Sequence, residues 1–222
     1  MNTMQLRYGR PLLAGPARRW AGALAACCAV LVTVLGILFA HQSGPDRLDR
    51  AVDSPVITWL AGHQGLAAWL AFPGTEVPAI GLSAVIVVAC LCTGRLNGAV
   101  LAAAAVPAAV GLNDWLVKPL VHRTYLGVLS YPSGHTATMS ALAAALAVLL
   151  LVPPQPARAR ALRVLVLVTV CAVGVVVAIG VIGLRWHYFT DTVAGAAVGI
   201  GTVCGLALLL DLPARRRLLT GG

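Results

Sequence analysis

Charge is scarce in this 222-residue chain: only 10% of residues are charged, and Lys118 is the sole lysine among 16 basic residues. Aromatic residues make up only 5%, whereas 59% of the chain is hydrophobic and the mean hydropathy is +0.90. A soluble domain of this length cannot hide so much apolar surface, which excludes an ordinary water-soluble globule. The six cysteines (Cys27, Cys28, Cys90, Cys92, Cys171 and Cys204) all fall inside apolar runs with no metal-ligand spacing. A disulfide scaffold is therefore not expected, and small apolar packing roles are. No cluster of Asp, Glu and His has the ligand count of a Mg²⁺ or Zn²⁺ centre, so no metal ion and no cofactor are predicted. Internal repeats are lacking as well.

Uncharged runs of membrane-spanning length dominate what remains: Trp20–Ala40, Val77–Thr93, Gly98–Asn113 (continuing to Val117), Gly134–Val152, Val164–Leu184 and Thr192–Leu210. They predict an all-α, polytopic bundle of six transmembrane helices over residues 20–212. Basic cytoplasmic tails are expected at 1–19, poorly ordered, and at 213–222. Arg7, Arg10, Arg18, Arg19, Arg95, Arg158, Arg160, Arg163, Arg215, Arg216 and Arg217 fall on one side of these spans; Arg47, Arg50, Lys118, Arg123 and Arg185 fall on the other. The positive-inside rule then places both termini in the cytoplasm of a multi-pass cell-membrane protein. The net charge of +9 is thereby read as topology and anionic-lipid contact, not nucleic-acid binding. The stretch Pro55–Phe72 is apolar enough to cross, but His63, Gln64 and Gly65 interrupt it. A crossing there would move every later loop to the other side, so a helix lying in the outer interface is expected, with Trp59 and Trp69 at headgroup level.

Three polar clusters remain: KPLVHRT (118–124), PSGH (132–135) and LRWHYFTD (184–191). The topology, inferred from charges elsewhere, brings all three to the outer face. Lys118 suits phosphate as a compact point charge, or it is a residue snorkelling from a span end. Asp114, one turn earlier, is its natural partner. Pro132 halts the preceding chain, so Ser133 and Gly134 stand where a helix must start. Free N–H groups and a hydroxyl there make an anion cradle, or an ordinary serine cap. His135, at the mouth of that cradle, is placed to protonate a leaving oxygen. His187 and Asp191 are four apart, so the carboxylate is expected to accept from one ring N–H and leave the other nitrogen free to attack. A purely structural pair remains the alternative.

These clusters resemble the type 2 phosphatidic acid phosphatase superfamily, membrane lipid phosphate phosphatases related in fold to vanadium haloperoxidases. The resemblance extends from about residue 50 to 210 and is most specific in PSGH and HYFTD, followed by VAGAAVG. It implies a six-helix core and a metal-free phosphohistidine mechanism, with His187 as nucleophile, Asp191 as its orienter and His135 as general acid. Lys118, Ser133 and Gly134 would bind phosphate, with Asp114 and Thr136 in support. The family's first motif would place an arginine at Tyr125, where the chain has its arginine at Arg123. Its third motif would place Ser-Arg at Gly180-Val181, where the nearest arginine is Arg185. Both arginines are expected as shifted phosphate clamps, Arg185 because it lies one helical turn beyond Val181.

The activity implied is hydrolysis of a lipid phosphate or polyprenyl (pyro)phosphate at the extracytoplasmic face. A lipid phosphotransferase using an alcohol acceptor, and an inactive membrane scaffold, are the rival readings. The membrane lipid substrate and the bilayer are the partners expected; oligomeric state is not legible.

Overall fold

The computed structural model describes residues 11–13, 15–151 and 159–212. The expected C-terminal tail, most of the N-terminal tail and the first part of the 153–163 loop lie outside the described residues. Helices run α1 Pro16–Phe39, α2 Arg47–Trp59, α3 Gln64–Ala71, α4 Glu76–Cys92, α5 Leu96–Leu112 and the short α6 Lys118–Val121. After a two-stranded hairpin (β1 Thr124–Tyr125, β2 Val128–Leu129) come α7 Gly134–Leu151, α8 Arg160–Gly183 and α9 Phe189–Leu210. The protein is a polytopic helical membrane bundle, with six segments among the described residues long and apolar enough to cross a bilayer. They are Pro16–Phe39, Gln64–Cys92, Leu96–Val121, Gly134–Leu151, Arg160–Gly183 and Phe189–Leu210.

Two boundaries differ from expectation. The interruption in Pro55–Phe72 falls at residues 60–63, where Gly62 takes a φ of 77°. Its second half, α3, then runs through a 3₁₀ turn at Phe72–Gly74 into α4, so it joins the second span rather than a separate interfacial helix. The amphipathic element outside the spans is instead α2, which turns Asp49 and Asp53 inward. Part of the expected disordered tail is also ordered. The amides of Leu12 and Leu13 donate to the two carboxylate oxygens of Asp211 at 2.8 Å each, tying the chain ahead of α1 to the end of α9.

Helix association in a bilayer depends on close packing more than on hydrophobic burial, because lipid tails are as apolar as leucine. The VAGAAVG run does this work. A Cβ at Gly195 would lie 2.2 Å from the Ser133 carbonyl oxygen, and one at Gly199 would lie 2.3 Å from that of Ala137. Backbones of α7 and α9 therefore touch. Thr136 locks the contact by donating from its hydroxyl to the Thr192 carbonyl at 2.9 Å, and the Ser133 amide donates to the Asp191 carbonyl at 2.9 Å. The starts of PSGH and of α9 are thereby held side by side.

Candidate active site

Gly134, His135, Arg185, Trp186, His187, Asp114 and Lys118 line one cavity of about 980 Å³. Each arrives on a different structural device. Lys118 follows a π-helical turn at Asn113–Val117, a form that widens the helix and recurs at functional sites. Its ammonium lies 2.8 Å from Asp114, both partly solvated. His135 sits in the first turn of α7, its ring centroid 6.2 Å from that of His187 and 5.5 Å from that of Trp186.

Helix α8 ends at Gly183, so the span does not continue to Arg185 as the shifted-clamp argument required. Instead the Arg185 amide donates to Ile182 and the Trp186 amide to Val181, a Schellman closure with Arg185 in the left-handed position at φ 59°. Glycine normally holds that position; a side chain costs roughly 1–2 kcal/mol there. Arg185 nevertheless lines the cavity, and its side chain makes no hydrogen bond or ion pair among the described residues. The family's usual arginine position is closed. Val181 is fully buried, and a Cβ on Gly180 would lie 2.5 Å from the Ala71 backbone nitrogen. The backbone of α3 occupies the space that a serine at position 180 would need.

Arg123 does not reach the cavity, which corrects its expected role as a phosphate clamp. Its guanidinium is fully buried and lies 4.2 Å from the Phe39 ring centroid and 4.3 Å from that of Tyr188. It donates to Asp191 at 2.7 Å, to the Thr190 hydroxyl at 2.7 Å and to Asp49. Asp49 in turn accepts from the Thr190 amide and hydroxyl at 2.9 Å each, and Asp53 accepts from the Phe189 amide at 3.1 Å. Carboxylates from α2 thus satisfy the free N–H groups at the start of α9. Sequence reasoning missed this network. Its signal was present in Asp49 and Asp53, four apart on one face of a short helix.

Asp191 is also not the direct acceptor for His187. Its Oδ2 accepts the Tyr188 amide at 3.0 Å and its Oδ1 takes Arg123, leaving Oδ2 4.0 Å from the His187 Nδ1. That ring nitrogen lies 2.8 Å from the Ser130 carbonyl oxygen. A carbonyl can only accept, so Nδ1 carries the proton and Nε2 keeps the lone pair. Burial first, then the charges of His135 and Lys118, pull the imidazole down to about 3, so it is neutral at neutral pH. Ser133 is fully buried at the head of α7, its Oγ 3.5 Å from the Thr136 amide, and it does not line the cavity. Gly134 does line it.

A neutral imidazole with a free ring nitrogen beside a second histidine and a lysine can attack phosphorus. Residues 21–215 match the sequence profile of the PAP2 superfamily. The chain belongs to the PAP2 superfamily. Membership makes it a phosphatase-type hydrolase of phosphate esters. No individual curated protein and no solved structure shows a significant match to it. In this chain one arginine, Arg123, turns inward as a structural tie, and another, Arg185, stands on a helix-ending turn.

Proposed function

We propose that the protein is a lipid phosphate phosphatase working through a phosphohistidine on His187, with its cavity at the extracytoplasmic headgroup level. The observation that carries this reading is the His187 imidazole, neutral, held through Nδ1 by a backbone carbonyl and lining the same cavity as His135 and Lys118. In-line attack by Nε2 forms the N–P bond as the P–O bond to the lipid breaks. His135, in its protonated form, gives its proton to the departing oxygen. It then takes a proton from water, whose oxygen attacks phosphorus and releases phosphate and His187. Lys118 and Arg185 offset the charge gathering on the phosphoryl oxygens, so rate comes from positioning and preorganised charge. Asp191 supports the imidazolium electrostatically from 4.0 Å and, through Arg123, holds the start of α9.

Val77 and Ile80 on α4 and Val106 and Val110 on α5 continue the cavity as an apolar wall. Such a wall suits an acyl or prenyl tail that stays in the bilayer while the headgroup reacts. The test is purified protein assayed for phosphate release from phosphatidate and polyprenyl phosphates. The reaction should be inhibited by vanadate and indifferent to EDTA, and an acid-labile phosphoenzyme should be lost in His187→Ala. Activity abolished by chelation and restored by a divalent ion would overturn the mechanism.

A further inference from the structure

On the phosphatase reading, the charge balance of the cavity narrows the substrate. Among the described residues, Lys118 and Arg185 supply its two permanent cations, because Arg123 is spent on Asp49 and Asp191. Two carboxylates line the same cavity. Asp114 already pairs with Lys118 at 2.8 Å. Glu76, in the first turn of α4, lines the cavity and has no hydrogen bond or ion pair among the described residues. Counting the side chains other than the two histidines, the lining is formally balanced, two positive against two negative. A site built for a strongly anionic headgroup would carry surplus positive charge.

An acid in the first turn of a helix is ordinary in itself, since it faces the positive end of the helix dipole. Glu76 differs in where that turn opens. Thr75, Glu76 and Val77 all line the cavity, so Glu76 adjoins the apolar wall that Val77 and Ile80 form on α4. We infer that Glu76 is a specificity-determining residue that makes the site select lipid monophosphates over lipid diphosphates. A diphosphate brings an additional phosphoryl group and about one more negative charge to a cavity with no cation left to meet it. Repulsion from Glu76 then acts on that extra charge in a partly screened site.

Farnesyl monophosphate and farnesyl diphosphate share one tail, so comparing their kcat/KM values cancels tail binding. The wild-type protein is expected to prefer the monophosphate. Glu76→Gln should narrow that preference by roughly three- to tenfold, mainly by raising the diphosphate value. Glu76→Asp, which keeps the charge, should retain it. An equal or greater wild-type rate on the diphosphate would overturn the inference. So would a ratio unmoved by Glu76→Gln. Should prenyl lipids not be turned over, phosphatidate and diacylglycerol pyrophosphate provide the same comparison. Hydrolysis of neither pair would instead sink the lipid phosphatase reading, and the inference with it.

Discussion

Arg123 and Asp191 form a 2.7 Å ion pair in which neither side chain is exposed to solvent. A buried pair is costly to break, because removing one member leaves the other charged and unpaired, typically at about 3–5 kcal/mol. Here Arg123 also neutralises Asp49, so Arg123→Ala would strand two carboxylates. The expected outcome is a large fall in melting temperature together with activity. Arg123→Lys should not rescue either, since one ammonium cannot fork between Asp49 and Asp191 while stacking on Phe39 and Tyr188. Thermal melts in detergent beside phosphate-release assays check this. Lost turnover with an unchanged melting temperature would return Arg123 to the substrate.

Arg185 is expected to behave oppositely. It holds a left-handed position at φ 59°, and its side chain makes no hydrogen bond or ion pair among the described residues. Arg185→Gly should therefore stabilise the fold by about 1 kcal/mol while removing a cation from the cavity. Loss of one preorganised donor to a phosphoryl oxygen costs about 10²–10³ in turnover. Returning the arginine to Val181 should not restore it, because that side chain is fully buried. Turnover unaltered in Arg185→Gly would remove Arg185 from the site.

The spans were legible because apolar length is a direct physical requirement of the bilayer, and five of the six lie within a few residues of their apolar runs. The gathering of Lys118, His135 and His187 was legible for a related reason: once the spans are laid out, polar clusters at their ends have few places to meet. What escaped has no residue-level signature. The acceptor for His187 is the Ser130 backbone carbonyl, which any residue at that position would supply. The closed position at Gly180 depends on α3 packing back over α8, a tertiary contact that the motif spacing does not carry. Arg123 looked like a clamp because its buried partners, Asp49 and Asp191, are distant in sequence.

Sidedness follows from charge and is open to direct labelling. In a cysteine-free background, Leu126→Cys at the exposed tip of the hairpin should react with an impermeant thiol reagent from outside intact cells. Thr93→Cys, between α4 and α5 and beside Arg95, should react only after permeabilisation. Ser130 would be a poor site for such a probe, since it is buried behind His187. The reverse pattern would put the cavity in the cytoplasm and overturn the assignment of the termini.

The carboxylates under α9 give the fold a pH dependence whose sign can be worked out. Burial first, and then the neighbouring Asp49, push Asp53 up to about 7. In the unfolded chain the same carboxyl titrates near about 3.9. Between those values the folded state binds the extra proton, so stability falls as pH rises from about 4 to about 7, and the full cost applies above that. His187 contributes in the opposite sense, its stabilisation being lost as pH falls from about 6.5 toward about 3. Asp53→Asn separates the two. Its amide oxygen can still accept the Phe189 N–H, now 3.1 Å from Asp53, while the buried negative charge disappears. The variant should melt higher than wild type at pH 8, by an amount on the order of 1–3 kcal/mol or several degrees, and the gain should shrink at pH 5. Scanning fluorimetry in detergent at both pH values measures the difference. An equal gain at both would detach the effect from the charge of Asp53, and a loss at pH 8 would mean that Asp53 is needed as an anion under α9.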